Sequence, residues 1–125
     1  MSIISDYILQ IKRIIDETPY ILSENLVIDN RGDIVLYLKG EIVFTDLSEL
    51  HFKEYIITIA EFKKIAYSYH YQDFQKALIF RYDNAEHHPE LITFPHHQHI
   101  GSETFASKEM SVEEVIGLIV DQINK

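Results

Sequence analysis

Five of the seven histidines in the chain fall within one stretch, RYDNAEHHPELITFPHHQH, residues 81–99: His87, His88, His96, His97 and His99. Imidazole is the one side chain whose ordinary pKa lets it give or take a proton near neutrality. Breaking an RNA phosphodiester without a metal needs a base for the 2′-hydroxyl, an acid for the leaving oxygen and a cation near the phosphate. Arg81 offers the cation, and His88, His97 and His99 offer the acid–base pair. Asp83 would orient a histidine or Arg81. His70, Tyr82, His87 and His96 are the candidates for holding substrate.

The same residues admit a second chemistry. In an extended segment His97 and His99 project to one side, which suits two ligands of a metal ion. His87 or His88 would add a third nitrogen, and Asp83 or Glu90 an oxygen. The spacing matches no strong zinc signature. The expected cofactor is therefore none, with a divalent metal such as zinc on His87, His97 and His99 as the alternative. The plainest reading has the imidazoles bonding loop carbonyls, with Arg81 and Asp83 as a same-face ion pair on a sheet.

Composition narrows the partners. The 125 residues suit one domain, 1–125, with one real core, and 46% hydrophobic content argues against disorder. There are no cysteines, so thiolate nucleophiles, disulfides and cysteine zinc sites are excluded. Net charge is −9, with 20 acidic against 11 basic residues, so any nucleic-acid contact must be local or assisted by a partner. Asp6, Lys12, Arg13 and Asp16 interrupt the N-terminal apolar residues, which therefore do not read as a signal peptide. No apolar run approaches the roughly 18 residues of a membrane span. A soluble cytoplasmic protein is the expectation.

The elements that must position these residues follow from periodicity. Ile4, Tyr7, Ile8, Ile11, Ile14 and Ile15 recur at helical spacing, and Pro19 ends that helix. "LVID" reads as a short strand, followed by a turn at Asn30–Asp33. Strands are expected at Ile34–Thr45, Leu50–Ile59, Ile65–Gln72 and Ala77–Asp83, with Gly40 marking a bulge or bend. Short connections between them imply an antiparallel meander. Residues 84–99, held by Pro89 and Pro95, are expected to be irregular. Ser111 with Glu114 forms a capping box, opening a helix whose stripe is Val112, Val115, Ile116, Ile119, Val120 and Ile123. The predicted fold is α+β: an antiparallel meander of four to five strands, with an N-terminal and a C-terminal helix on one face.

An even-length hairpin turn would set Tyr71 opposite Leu78, Tyr69 opposite Phe80 and Tyr67 opposite Tyr82, an aromatic core face. Ser68, His70, Arg81 and Asp83 would share the other face. At least two of the five clustered histidines should then pack over Arg81 and Asp83, opposite Tyr67, Tyr69 and Tyr71.

The block YSYHYQDFQKALIFRYDNAEHHPELITFPHHQHIG, Tyr67–Gly101, resembles the TumE-like toxin family of prokaryotic toxin–antitoxin systems. Members carry an extended YSYHYQD…LIFRYDNAPHHPEL.TFPHHKHIG block, and the likeness extends from about Ile34 onward. Glu86 stands where proline is common and Gln98 where lysine is usual, which makes this copy more acidic beside its histidines. The resemblance implies a small toxin with an antitoxin partner bearing a helix-turn-helix domain. It points to RNA as substrate by fold analogy with RelE-type ribonuclease toxins. A homodimer is left open. The reading from another class is a non-catalytic module whose acidic surface docks a basic partner.

Overall fold

The structure, a computed structural model, describes residues 2–125. Helix α1 spans Ile3–Glu17; Ser2 caps it by accepting from the Ser5 amide, and it stops two residues before Pro19. Its stripe buries Ile4, Ile11 and Ile15. Helix α2, Val112–Ile123, opens with the reciprocal Ser111–Glu114 capping box and buries Val112, Val115, Ile116 and Ile119. Among the described residues no helix is long and apolar enough to cross a membrane.

Between the helices run β1 (Ile21–Arg31), β2 (Val35–Phe44), β3 (Glu49–Ile57), β4 (Lys63–Gln72), β5 (Leu78–Asp83), β6 (His97–Ile100) and β7 (Glu103–Ala106). They form one seven-stranded sheet in which spatial order equals sequence order, every pair antiparallel. The expectation of four to five strands is corrected here. The added pair, β6 and β7, lies in and just beyond the stretch expected to be irregular. Its strands are short and mostly polar, so hydrophobic alternation does not announce them. Gly101, at φ 59°, turns the hairpin between Ile100 and Glu103. Strand β1 is also longer than "LVID": it is an edge strand, largely exposed, whose polar residues pair through backbone alone.

Period-two alternation sorts the sheet into two faces. One carries Leu36, Leu38, Ile42, Phe44, Leu50, Phe52, Ile56, Tyr67, Tyr69 and Tyr71, and packs in a single core with both helices. Gly40 is neither bulge nor bend, because its pairing with Leu26 and Phe52 is unbroken. A Cβ at Gly40 would lie 2.3 Å from the Phe52 ring, so glycine is what lets that ring cross the strand.

A polar knot lies under the helices. The Glu54 side chain, 0% exposed, accepts from the hydroxyls of Tyr7 on α1 and Tyr69 on β4. It sits 3.6 Å from the Lys64 ammonium, which donates to the Met110 carbonyl at 2.5 Å. One buried carboxylate thus links α1, the sheet and the segment leading into α2, with no unpaired side-chain atom buried among the described residues.

The β4–β5 register differs from the expected one by two residues. Tyr69 pairs with Tyr82 and Tyr71 with Phe80, after a shift between Tyr71 and Gln72. A slip of two preserves the faces. Its consequence is that His70 stands directly opposite Arg81.

Candidate functional site

The face without helices is where the charged residues gather. Strand β5 presents Arg81 and Asp83 on it, two residues apart. Strand β6 presents His97 opposite Asp83 and His99 opposite Arg81. Strand β4 adds His70 opposite Arg81, and β3 adds His51 opposite His70.

Asp83 is the hub. Its Oδ1 accepts from the Ala85 amide at 3.0 Å and lies 2.8 Å from His97 Nε2. Its Oδ2 accepts from Arg81 Nε at 3.0 Å and lies 3.5 Å from His99 Nε2. Burial alone would raise the Asp83 pKa. The Ala85 amide, the Arg81 hydrogen bond and the nearby His97 and Arg81 charges outweigh it and hold the carboxyl below its usual value. Arg81 also reaches back, its guanidinium 3.4 Å from His70 Nδ1.

His88 arrives from the connection between β5 and β6. Its ring centroid is 5.0 Å from that of His97 and 5.9 Å from that of His99. The His97 and His99 rings are 4.7 Å apart. One nitrogen from each of the three rings lies within 4.8 Å of the others, so these are the residues able to share a metal ion. Their Nδ1 atoms face elsewhere: His97 Nδ1 donates to the Pro95 carbonyl at 2.9 Å, and His88 Nδ1 is 3.1 Å from a Glu90 carboxylate oxygen. His99 Nδ1 is 3.3 Å from the Thr104 hydroxyl on β7. Burial, reinforced by the His97, His88 and Arg81 charges, lowers the His99 pKa despite Asp83. Burial likewise lowers that of His70, with the Arg81 and His51 charges adding to it.

Of the residues singled out from sequence, Arg81, Asp83, His70, His88, His97 and His99 come together. The other three do not. His87 is exposed and outside the cluster. His96 projects to the helix side, where its ring stacks on Tyr67 and its Nδ1 is 2.8 Å from the Tyr67 hydroxyl. Tyr82 is buried on that side too, its hydroxyl accepting from Gln98 Nε2 at 2.7 Å.

A groove leads up to the cluster. One hollow of about 500 Å³ lies over Tyr37, Lys39, Lys53, Tyr55, Ala66 and Ser68. A second, of about 350 Å³, shares Lys39, Lys53 and Ser68 and continues to His51, His70 and Arg81. Tyr37 and Tyr55, cross-strand partners, stack with centroids 4.6 Å apart and planes at 3°. Tyr37, Lys39, Lys53 and Tyr55 were not singled out from sequence. The signal was there in period two, since "YLK" and "KEY" each place a tyrosine and a lysine on the same outward face.

Fold and site together define a small α+β meander protein: helices cover one face of its sheet, and an arginine, a carboxylate and a group of imidazoles share the other. The family model described as Toxin TumE matches residues 11–124, and the chain belongs to that family. No curated protein and no solved structure matches it.

Proposed function

We propose that this toxin acts on RNA, cleaving a phosphodiester at the cluster formed by Arg81, Asp83, His88, His97 and His99. The observation that carries the reading is the position of Arg81, which lines the end of the groove and also holds the Asp83 carboxylate. A single-stranded nucleic acid needs cations for its backbone and aromatic faces for its bases. Lys39, Lys53 and Arg81 supply the first, and Tyr37 and Tyr55 the second. This local arrangement is what a chain of net charge −9 requires if it is to hold an anion.

In this reading Arg81 pairs with the phosphate, Asp83 orients Arg81 and His97, and His70 lines the approach. The imidazoles do the activating chemistry, either by proton transfer or by holding a cation that activates water. The engaged Nδ1 atoms favour the second. The acidic remainder of the surface suits a basic antitoxin, and the likeness of the Tyr67–Gly101 block to TumE-like toxins supports a helix-turn-helix partner.

The test is induction in a bacterium of the wild-type chain, of Arg81→Ala and of the His97→Ala/His99→Ala pair, each paired with purified protein incubated with single-stranded RNA. Growth arrest and RNA cleavage should both be lost in the variants. Equal toxicity of wild type and variants would overturn the assignment.

A further inference from the structure

We infer that His88, His97 and His99 form a binding site for one divalent first-row transition-metal ion, with the Asp83 carboxylate beside it. Each ring is held in a particular direction. Metal-bound histidines generally donate their second ring N–H to a carboxylate, a carbonyl or another oxygen, which fixes the ring and its tautomer. Here the Pro95 carbonyl accepts from His97 Nδ1 and the Glu90 carboxylate from His88 Nδ1, and the Thr104 hydroxyl engages His99 Nδ1 at 3.3 Å. Each Nε2 is thereby left for something else.

Those of His97 and His99 meet Asp83, and one nitrogen of His88 lies within 4.8 Å of one on each of the other two rings. His97 Nε2 is 2.8 Å and His99 Nε2 3.5 Å from the two oxygens of that carboxylate. Metal–nitrogen bonds of about 2.0–2.1 Å place neighbouring tetrahedral ligands roughly 3.3 Å apart. The three nitrogens, spread within 4.8 Å, close inward on loading, and His88 has the freedom to move because it comes from a connecting segment rather than a strand.

The donor set selects the ion. Three imidazole nitrogens suit Zn²⁺, Co²⁺, Ni²⁺, Fe²⁺ or Mn²⁺, whereas Mg²⁺ and Ca²⁺ take oxygen ligands. The set also differs from the one anticipated from sequence: His88, not His87, is the third nitrogen. Metal binding stands whether or not RNA is the substrate.

The experiment uses full-length protein made without a polyhistidine tag, stripped with a chelator, then titrated with Zn²⁺ by calorimetry and with Co²⁺ by visible absorption. Wild type should bind about one ion per chain, with Co²⁺ bands of low-symmetry nitrogen–oxygen coordination. His88→Ala, chosen because it lies outside the strands, should weaken binding by about tenfold or more, and Glu90→Gln by a smaller factor, while His87→Ala leaves it unchanged. Absence of saturable binding would overturn the inference. So would equal weakening by His87→Ala and His88→Ala in variants with wild-type circular dichroism. Neither readout involves RNA, so failure here leaves the RNA reading to its own test.

Discussion

Asp83 and His97 are direct cross-strand partners on β5 and β6, and both are buried although they face the side of the sheet without helices. The carboxylate is therefore a structural tie as well as a chemical group. Asp83→Asn keeps the shape but puts an amide where Oδ1 or Oδ2 accepted, disturbing bonds to the Ala85 amide, Arg81 and His97. Loss of such charge-assisted partners should cost about 1.5–3 kcal/mol in urea denaturation and abolish growth arrest. A fully toxic Asp83→Asn protein would remove Asp83 from the machinery.

The groove makes its own prediction. Tyr55→Ala breaks the parallel stack with Tyr37 without touching the histidines. Affinity for a single-stranded RNA oligonucleotide, measured by fluorescence anisotropy, should fall by about 1–3 kcal/mol, the worth of one base–aromatic stack. Unchanged affinity in both Tyr55→Ala and Lys53→Ala would mean that RNA does not follow this path.

The knot around Glu54 is a stability device away from the site. Lys64→Ala leaves a carboxylate fully buried with its cation gone, which should cost about 3–5 kcal/mol. Combining it with Glu54→Gln should recover part of that loss, because the stranded charge is then absent. Chemical denaturation of the single and double variants gives the comparison, and a double variant no more stable than Lys64→Ala would contradict it.

Alkaline pH should unfold the protein early. Burial raises the pKa of Tyr7 and Tyr69, with the Glu54 charge adding to it, and burial raises those of Tyr67, Tyr71 and Tyr82. These groups keep their protons in the folded chain while the unfolded chain loses them above the ordinary tyrosine value of 10.0. Stability from them is complete below that value and falls as pH rises past it, by about 1.4 kcal/mol per pH unit for each proton of difference. Lys64 works the other way: burial lowers its pKa, so raising pH toward 10.5 removes a penalty. One lysine does not offset five tyrosines. The urea midpoint should drop between about pH 9 and about pH 11, and less so in Tyr69→Phe. A flat profile would contradict the assignment.

How much of this was readable in the chain depended on whether burial left a period. Both helices and strands β2 to β5 were legible, because their apolar residues recur at the spacing of the face they bury. Strand β1 was only half legible, since an edge strand such as Ser23–Asn25 needs no apolar side chains to pair. Strand β6, "HQHI", was missed as a strand for the same reason: its outward residues are imidazoles. The Gly101–Ser102 pair was the one hairpin signal available there.

The site itself was legible where strands carry it. "RYD" and "HQH" place Arg81, Asp83, His97 and His99 on one face by alternation alone. The same alternation puts Tyr82, His96 and Gln98 on the other, so Tyr82 and His96 could have been set aside as substrate contacts from the pattern. Choosing His88 over His87 was beyond it. Both lie in a connection without period, and only the path of that connection decides which ring turns inward.

Because the sheet grows in sequence order, each strand emerging during synthesis meets a neighbour already made, and every closing loop is short and entropically cheap. Residues of the site, however, belong to the late strands. Arg81 and Asp83 wait for His97 and His99, and those two are fastened only when β7 has paired with β6, shortly before α2 emerges to complete the core. A nascent chain therefore lacks the assembled cluster for most of its time on the ribosome. The cluster is completed at nearly the same moment as the core.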